Sequence, residues 1–438
     1  MNSPAAIRSE DKNRFEARAP LTPEDMAQVI EQTAAEFIIQ PSPIRIFKDD
    51  EYRACWAEIG DDISSCPLVF AVKEIPEDCF LPGRTYVFFS HTTKGQPYNM
   101  LMLKKLKELR CNLIDYEKIA DDQNRRLIFF GRYAGIAGLI DTLWALGRRF
   151  EAEKVDNPFT ALRRTYQYDG LEAAVAQMKE VARIIERDGL DRSIAPLVAG
   201  FTGYGNVSMG AQEIYDLLPV EEVTPDQLAG LSRSGIDRRH SVYKVVFREE
   251  DMFEPIEDDV KFELQDYYDN PGRYRSVFRN YLPHLSILIN CIYWDPRYPR
   301  FLTRESARRL YLSPNGGPRL KVIGDISVDI EGSIELTVKS TEPDNPVFLY
   351  DVGKDRPVDG FTGNGPLIMA VDNLPCELPR ESSREFSAAL RELTPVIINA
   401  DFDKSFDECG LSPELKRGTI LYKGEFTPDF RYMEEFVS

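Results

Sequence analysis

The chain has 438 residues, 43% of them hydrophobic and 11% aromatic, enough to enclose two domain cores rather than one. Its net charge of −18 at pH 7 repels polyanions and argues against a nucleic-acid binder, because phosphate contacts need clustered Lys and Arg. There is no apolar run of membrane-spanning length, and Met1-Asn-Ser-Pro lacks a signal-peptide core, so the expectation is a soluble, cytoplasmic protein without a membrane partner.

Thr22-Pro23-Glu24-Asp25 reads as a helix start, with a capping hydroxyl, a first-turn proline and acids that suit the dipole; the helix is expected over about 23–37. Strands are predicted over 66–72, 85–90 and 112–116, with a basic amphipathic helix over 101–109 between the last two and a short strand at Ile128-Phe-Phe. Helix and strand in alternation mark an α/β domain. The first two strands end at Lys73 and His91. A lysine and a histidine facing one cleft are a useful pair, since burial lowers an amine's pKa towards the range where imidazole already titrates.

From Tyr133 small and large apolar residues mix over several turns, which predicts a buried helix leading into a second domain. There, a strand over 196–202 runs into Gly203-Tyr-Gly205-Asn206-Val207-Ser208 and a helix continuing to Leu218. In a strand–glycine–helix unit the first glycine makes the tight turn, the second admits a pyrophosphate, and the helix amino terminus holds negative charge. Ser208 stands where the third glycine of that fingerprint would be. Glu221 and Glu222 lie at the distance where an acid would bond an adenine ribose.

Residues 232–283 are dense in charge and tyrosine and are read as a surface elaboration. Strands over 285–294 and 320–329 carry Asn290 and Asp329, site candidates because ligands collect at the carboxyl ends of parallel strands. The proline-punctuated stretch from Val371 feeds a helix, and from about Asn399 the pattern weakens into a short tail. The seven cysteines show no C-x-x-C pair and are read as reduced. The three histidines, His91, His240 and His284, have no ligand spacing, so no metal site is expected.

Phe15-Glu-Ala-Arg18-Ala-Pro-Leu-Thr22, Tyr86-Val-Phe-Phe-Ser-His91-Thr-Thr-Lys94, Phe201-Thr-Gly203-Tyr-Gly205-Asn, Leu288-Ile-Asn290-Cys and Asp372-Asn-Leu-Pro375 occur in this order. Together they resemble lysine-ketoglutarate reductase, the saccharopine-forming half of the bifunctional lysine-degrading enzyme. More distantly the chain is similar to the lysine-forming saccharopine dehydrogenase of fungi and to alanine dehydrogenase with its transhydrogenase relatives. The resemblance implies two doubly wound, Rossmann-like α/β domains with the active site in the cleft between them. Residues 1–135 joined by 376–438 would form the substrate domain, and 136–375 the dinucleotide-binding domain.

It also implies the reaction: L-lysine condenses with 2-oxoglutarate and the imine is reduced to saccharopine. In the relatives Lys73 matches the residue that serves the substrate nitrogen and His91 the one that serves the carbinolamine oxygen, with Glu74 and Glu117 tuning the pair. Arg18 matches the carboxylate-binding arginine; Lys94 and Arg126 are further cation candidates, and Asp329 is placed with the substrate residues. Gly203, Gly205, Asn206, Val207, Ser208, Glu222 and Asn290 are assigned to the cofactor, NADPH, with NADH as the alternative because Glu221 and Glu222 would repel a 2′-phosphate that Arg233 would offset. The rival readings are an NAD-dependent lysine-forming saccharopine dehydrogenase or related amino-acid dehydrogenase, and a nucleotide-binding regulator without catalysis. A separate saccharopine dehydrogenase polypeptide would complete lysine degradation, and a homo-oligomer is expected.

Overall fold

The computed structural model describes residues 4–231, 237–313 and 318–437. The chain divides into two compact units, residues 1–130 with 379–438, and residues 131–378. Both are α/β, each built on an eight-stranded, mostly parallel sheet.

The first sheet begins with β1 (Ala5–Ile7), β2 (Phe37–Ile39), β3 (Glu58–Ile59), β4 (Leu68–Phe70), β5 (Thr85–Phe88) and β6 (Asn112–Asp115). β1, β4, β5 and β6 are buried at every residue, as strands covered on both faces must be. From β1 the chain winds outwards through β2 and β3 on one side, then returns to β4 and winds through β5 and β6 on the other. β1 and β4 are therefore neighbours at the switch point of a doubly wound sheet, where the strand ends leave a crevice.

The first helix stops at Thr33 rather than Phe37. Ala34 takes the left-handed conformation, its N–H bonds the Ile30 carbonyl, and Phe37 is left to pair with Ala5 in the sheet. Ile128-Phe-Phe is not a strand; the neighbouring Arg126 makes only an isolated bridge with Ala120.

The second sheet is formed by β7 (Leu197–Thr202), β8 (Val220–Glu222), β9 (Val242–Phe247), β12 (Ile287–Asn290), β13 (Val322–Asp325), β14 (Val347–Asp351), β15 (Arg356–Val358) and β16 (Leu367–Met369), while β10 (Phe253–Pro255) and β11 (Tyr274–Ser276) pair apart from it. β7 lies at its switch point, with β9 on one side and β12 on the other. Side chains alternate across the sheet: Leu197, Ala199 and Phe201 enter one core and Val198 the opposite one, the period-two consequence of the pleat. The first core is roofed by the buried helix Gly131–Ala152, which crosses the helix Asn206–Tyr215 closely. A Cβ on Gly135 would sit 1.9 Å from the Val207 carbonyl oxygen, and one on Gly210 2.1 Å from that of Arg132.

Two expectations are overturned here. The described part of 232–283 is not surface elaboration, since it supplies β9 and a buried aromatic cluster including Phe253, Tyr267, Tyr274 and Phe278. The last forty residues are not a tail, because β17 (Thr419–Tyr422) adds antiparallel to β6 and β18 (Glu425–Phe426) pairs with β17. The helix Pro379–Asn399 ties this segment to the first unit, Ser383 and Ser387 accepting the N–H groups of Ala19 and Thr22 at 3.0 and 2.8 Å. Among the described residues no helix is long and apolar enough to cross a membrane.

Candidate active site

Three loops leave the carboxyl ends of β1, β4 and β5, carrying Glu10, Lys73 with Glu74, and His91. Glu10 is buried, and its carboxylate accepts the backbone N–H of Val72 at 2.6 Å and of Lys73 at 3.0 Å. Burial raises its pKa to about 7, with the Glu16 charge adding to the rise and the two N–H bonds opposing it. Glu10 thus braces the turn that presents Lys73, across the β1–β4 switch point.

His91 Nδ1 lies 2.7 Å from Glu74 Oε1, and Lys12 Nζ lies 3.3 Å from Glu74 Oε2. Burial pushes the Glu74 carboxyl up, but the hydrogen bond and charge of His91, with Lys73 and Lys12 behind them, carry it down to about 2. An ionised carboxylate only accepts, so Nδ1 donates and Nε2 is left for chemistry.

The backbone of His91 is left-handed, with φ of 47°, a conformation that needs support in a residue with a side chain. Asn99 supplies it, its Nδ2 donating to the Ser90 carbonyl at 3.0 Å and the His91 carbonyl at 3.1 Å. Beneath, the Asp115 carboxylate at the end of β6 accepts Ser90 N at 3.1 Å, bonds the Ser90 hydroxyl, and takes Glu117 N at 2.8 Å. Burial, then the Glu117 charge, raises the Asp115 pKa. Glu117 is thereby tied through Asp115 to the His91 loop.

Arg18 is almost fully buried. Its Nε and Nη2 donate to the two Glu16 oxygens at 2.7 and 2.5 Å, and its guanidinium lies 4.3 Å from the Phe130 ring centre, which itself stacks on Phe386 at 4.5 Å. One edge of the fork and one face are therefore fixed. Lys94 and Arg126 are both exposed.

In the second unit Gly203 takes φ of +82°, open to glycine at no steric cost. The helix Asn206–Tyr215 starts directly after Gly205, and a Cβ on Gly205 would meet nothing within 4 Å. The turn opens on a cavity of about 360 Å³ lined by Gly203, Gly205, Glu249, Tyr268, Cys291 and Tyr293 among others. A helix amino terminus, an open glycine and a cavity of this kind fit a dinucleotide pyrophosphate. Ser208 is buried at the third-glycine position, its hydroxyl accepting from Gln212 at 3.0 Å; the close helix crossing is made instead by Gly135 and Gly210.

Asn290 is fully buried. Its Oδ1 accepts from Thr202 at 2.9 Å and its Nδ2 donates to Asp325 and Ser333 at 2.9 and 3.0 Å, so the side chain joins three elements rather than reaching outwards. Burial also lifts the Asp325 carboxyl to about 6, against the bonds from Thr337, Asn290 and Val328. Asp329 is half-buried just beyond β13.

Glu222, assigned to the cofactor from the sequence, stands apart from β7 in the strand order. It lies on the edge strand β8, with β9 between it and β7, and its Oε2 is 3.3 Å from Lys244 Nζ. The strand between β7 and β8 is β9, and the residues after it are Arg248 and Glu249. Arg248 stacks over Tyr204 at 5.2 Å; Glu249 accepts the Tyr268 hydroxyl at 2.9 Å and has a second oxygen, Oε2, buried without a hydrogen bond. Arg233 lies outside the described residues.

Glu10, Asn99, Asp115, Arg248 and Glu249 escape a sequence reading. The one available signal was an acid two or three residues after a short apolar strand, at Glu249 and Glu10. Among the described residues no cluster of metal-binding side chains exists.

Residues 6–137 match the family model for the alanine dehydrogenase/PNT N-terminal domain. Over 99% of its length the chain is 38% identical to an alpha-aminoadipic semialdehyde synthase of Arabidopsis thaliana, covering 41% of that protein. It is 35% identical over 98% of its length to the mitochondrial alpha-aminoadipic semialdehyde synthase of Bos taurus, covering 47% of it. The chain thus spans less than half of these curated relatives. A lysine-forming, NAD(+) saccharopine dehydrogenase of Emericella nidulans is 27% identical over 88% of the chain and 89% of its own length. Among solved structures, an L-alanine dehydrogenase has the same fold, with a TM-score of 0.60, 14% identity, and 99% of this chain and all of the other covered.

Proposed function

We propose that this chain, a homologue of the alpha-aminoadipic semialdehyde synthases along nearly its whole length and of the alanine dehydrogenase/PNT group in its first unit, is an oxidoreductase that condenses L-lysine with 2-oxoglutarate and reduces the imine to saccharopine. The observation that carries the reading is the His91–Glu74 hydrogen bond of 2.7 Å beside Lys73 at the sheet's switch point. The ε-amine adds to the keto carbon, the carbinolamine oxygen leaves as water, and a hydride reduces the imine carbon. A reduced nicotinamide supplies that hydride when bound, held by the Gly203–Ser208 turn.

His91 protonates the departing oxygen through Nε2, while ionised Glu74 stabilises the imidazolium and fixes the ring. Lys73 relays protons at the substrate nitrogen, and Glu117 helps set the charge balance of the pair. Arg18, held by Glu16 and Phe130, is the candidate cation for an oxoacid carboxylate. Lys94 and Arg126 add exposed positive charge towards a dianion, and Asp329 remains a candidate substrate residue.

For the cofactor we favour NADPH, with Arg248 as the cation for the 2′-phosphate. The test is oxidation of NADPH and NADH in parallel with lysine plus 2-oxoglutarate, with ornithine or ammonia replacing lysine as controls. Lysine-dependent NADPH oxidation that shifts towards NADH in Arg248→Ala is the expected result. An NADH preference in the parent would move the selection to Glu249 and the ribose hydroxyls, as in an NAD-dependent enzyme. Absence of lysine-dependent oxidation with either cofactor would defeat the reading.

A further inference from the structure

The second unit has a larger cavity, of about 540 Å³, at the opposite end of its sheet from the glycine turn. It is lined by Arg279, Leu282, Pro283, Arg309, Leu310 and Arg319 among others. Leu282 and Pro283 lead into β12, and Arg319 leads into β13. Arg319 Nη2 donates to the carbonyls of Ile194 at 3.1 Å and Pro196 at 2.6 Å, immediately before β7. The three strands are parallel, so the cavity lies at their amino ends. β7 alone, six residues long, separates it from Gly203 by roughly 20 Å at the usual strand rise. A smaller hollow of about 210 Å³ shares Arg279, Ser306 and Arg309 and extends the same basic surface to Arg300.

In a chain of net charge −18 this concentration of guanidinium is out of keeping with its surroundings. Among the described residues neither Arg279 nor Arg319 has a carboxylate partner. Arg309 pairs with Glu305 at 2.5 Å, but both side chains are exposed, at 64% and 73%, and such a pair contributes little. Arg319 Nε is buried without an acceptor, and burial pulls its pKa down, the state of a cation that lacks a counter-charge. The rest of the wall is mixed, with Leu282, Pro283, Leu310 and Pro318 apolar and Asn280, Ser306 and Ser313 polar.

We propose that this cavity is a second ligand site, for a small organic molecule with two or more closely spaced negative charges and an apolar part, either a phosphate ester or a polycarboxylate. Guanidinium groups suit both anions by paired, parallel donation. The site is independent of the glycine turn and of the assigned reaction.

Calorimetric titration of the full chain with pyrophosphate and with citrate, at matched ionic strength, tests it. Saturable binding of either probe is expected, weakened by ~10-fold or more in Arg279→Gln/Arg309→Gln, both exposed positions, and unchanged in Gly205→Val. Binding of pyrophosphate alone assigns a phosphate ester, and of citrate alone a polycarboxylate. Should the double variant fail to fold, Arg279→Gln alone is expected to weaken binding in the same direction. Failure of both probes to bind at millimolar concentration, undiminished binding in the arginine variants, or loss of binding in Gly205→Val would each overturn the proposal.

Discussion

Replacing Lys73 with methionine or His91 with glutamine removes a proton carrier while leaving much of the side-chain volume. Each change is expected to lower turnover roughly 10²- to 10⁴-fold at saturating substrates, the reach of general acid–base catalysis. Cofactor binding, followed by nicotinamide fluorescence, is expected to stay nearly intact. The double variant should lose less than the product of the single losses if the two residues share one proton path; full multiplication would separate them. Near-normal turnover in either single variant would return that residue to a structural role. Lys73 and His91 could be singled out in the chain because each stands at the end of an apolar run. Glu10 was not, since it lies 62 and 63 residues from the N–H groups it accepts, and only the pairing of β1 with β4 brings them together.

At the scale of elements, two glycines of one helix–turn unit have opposite tolerances. Gly205→Val adds a side chain where a Cβ meets nothing within 4 Å; the melting temperature is expected to hold while NAD(P)H affinity falls roughly tenfold or more, as the branched side chain enters the pyrophosphate space. Gly210→Ala drives a methyl to 2.1 Å from the Arg132 carbonyl oxygen, so the helices must part, and a loss of ~1–3 kcal/mol is expected by denaturant unfolding. Unchanged cofactor affinity in the first variant, or unchanged stability in the second, would contradict these assignments. The turn could be read from the chain because strand, glycines and helix are contiguous. The strand order could not, because counting downstream reaches β8, whereas the sheet places β9 beside β7.

At the scale of the molecule, buried carboxyls tie the stability of each unit to pH. In the second unit Asp141 accepts Thr165 N at 2.7 Å and Glu377 accepts Tyr166 N at 3.2 Å. Burial raises Asp141 to about 6; burial, then the Asp141 charge, raises Glu377 well above the carboxylate range. The folded pair therefore keeps protons that the unfolded chain releases. Its stabilisation is complete below the ordinary carboxyl range and is lost as pH rises through about 6 and beyond. Glu377→Gln retains a neutral donor towards Asp141 and an acceptor for Tyr166. It should flatten the decline, raising the melting temperature by ~2–4 °C at pH 9 and less at pH 6. An equal shift at both values would remove the pair from the pH dependence. Glu10, raised to about 7, acts with the same sign in the first unit, and Glu74, lowered to about 2, with the opposite one, its contribution being lost as the pH falls.

The sequence alone determined whatever rests on neighbours along the chain: α/β alternation, the capped helix at Pro23, the glycine turn, and polar residues closing apolar strands. These depend on backbone propensity and on periodicity over a few residues, which survive without a fold. Tertiary structure decided what depends on strand order and on burial. It put Glu10 under Lys73 and the Glu74 carboxylate on His91, turned residues 419–426 from an expected tail into two strands of the first sheet, set Glu222 on the edge strand β8 with β9 between it and β7, and gathered Arg279, Arg309 and Arg319 into one cavity. Strand order is chosen by which apolar faces can be covered together, and a pKa by the water that packing removes. Both are properties of the assembled molecule, set by residues far apart in the chain.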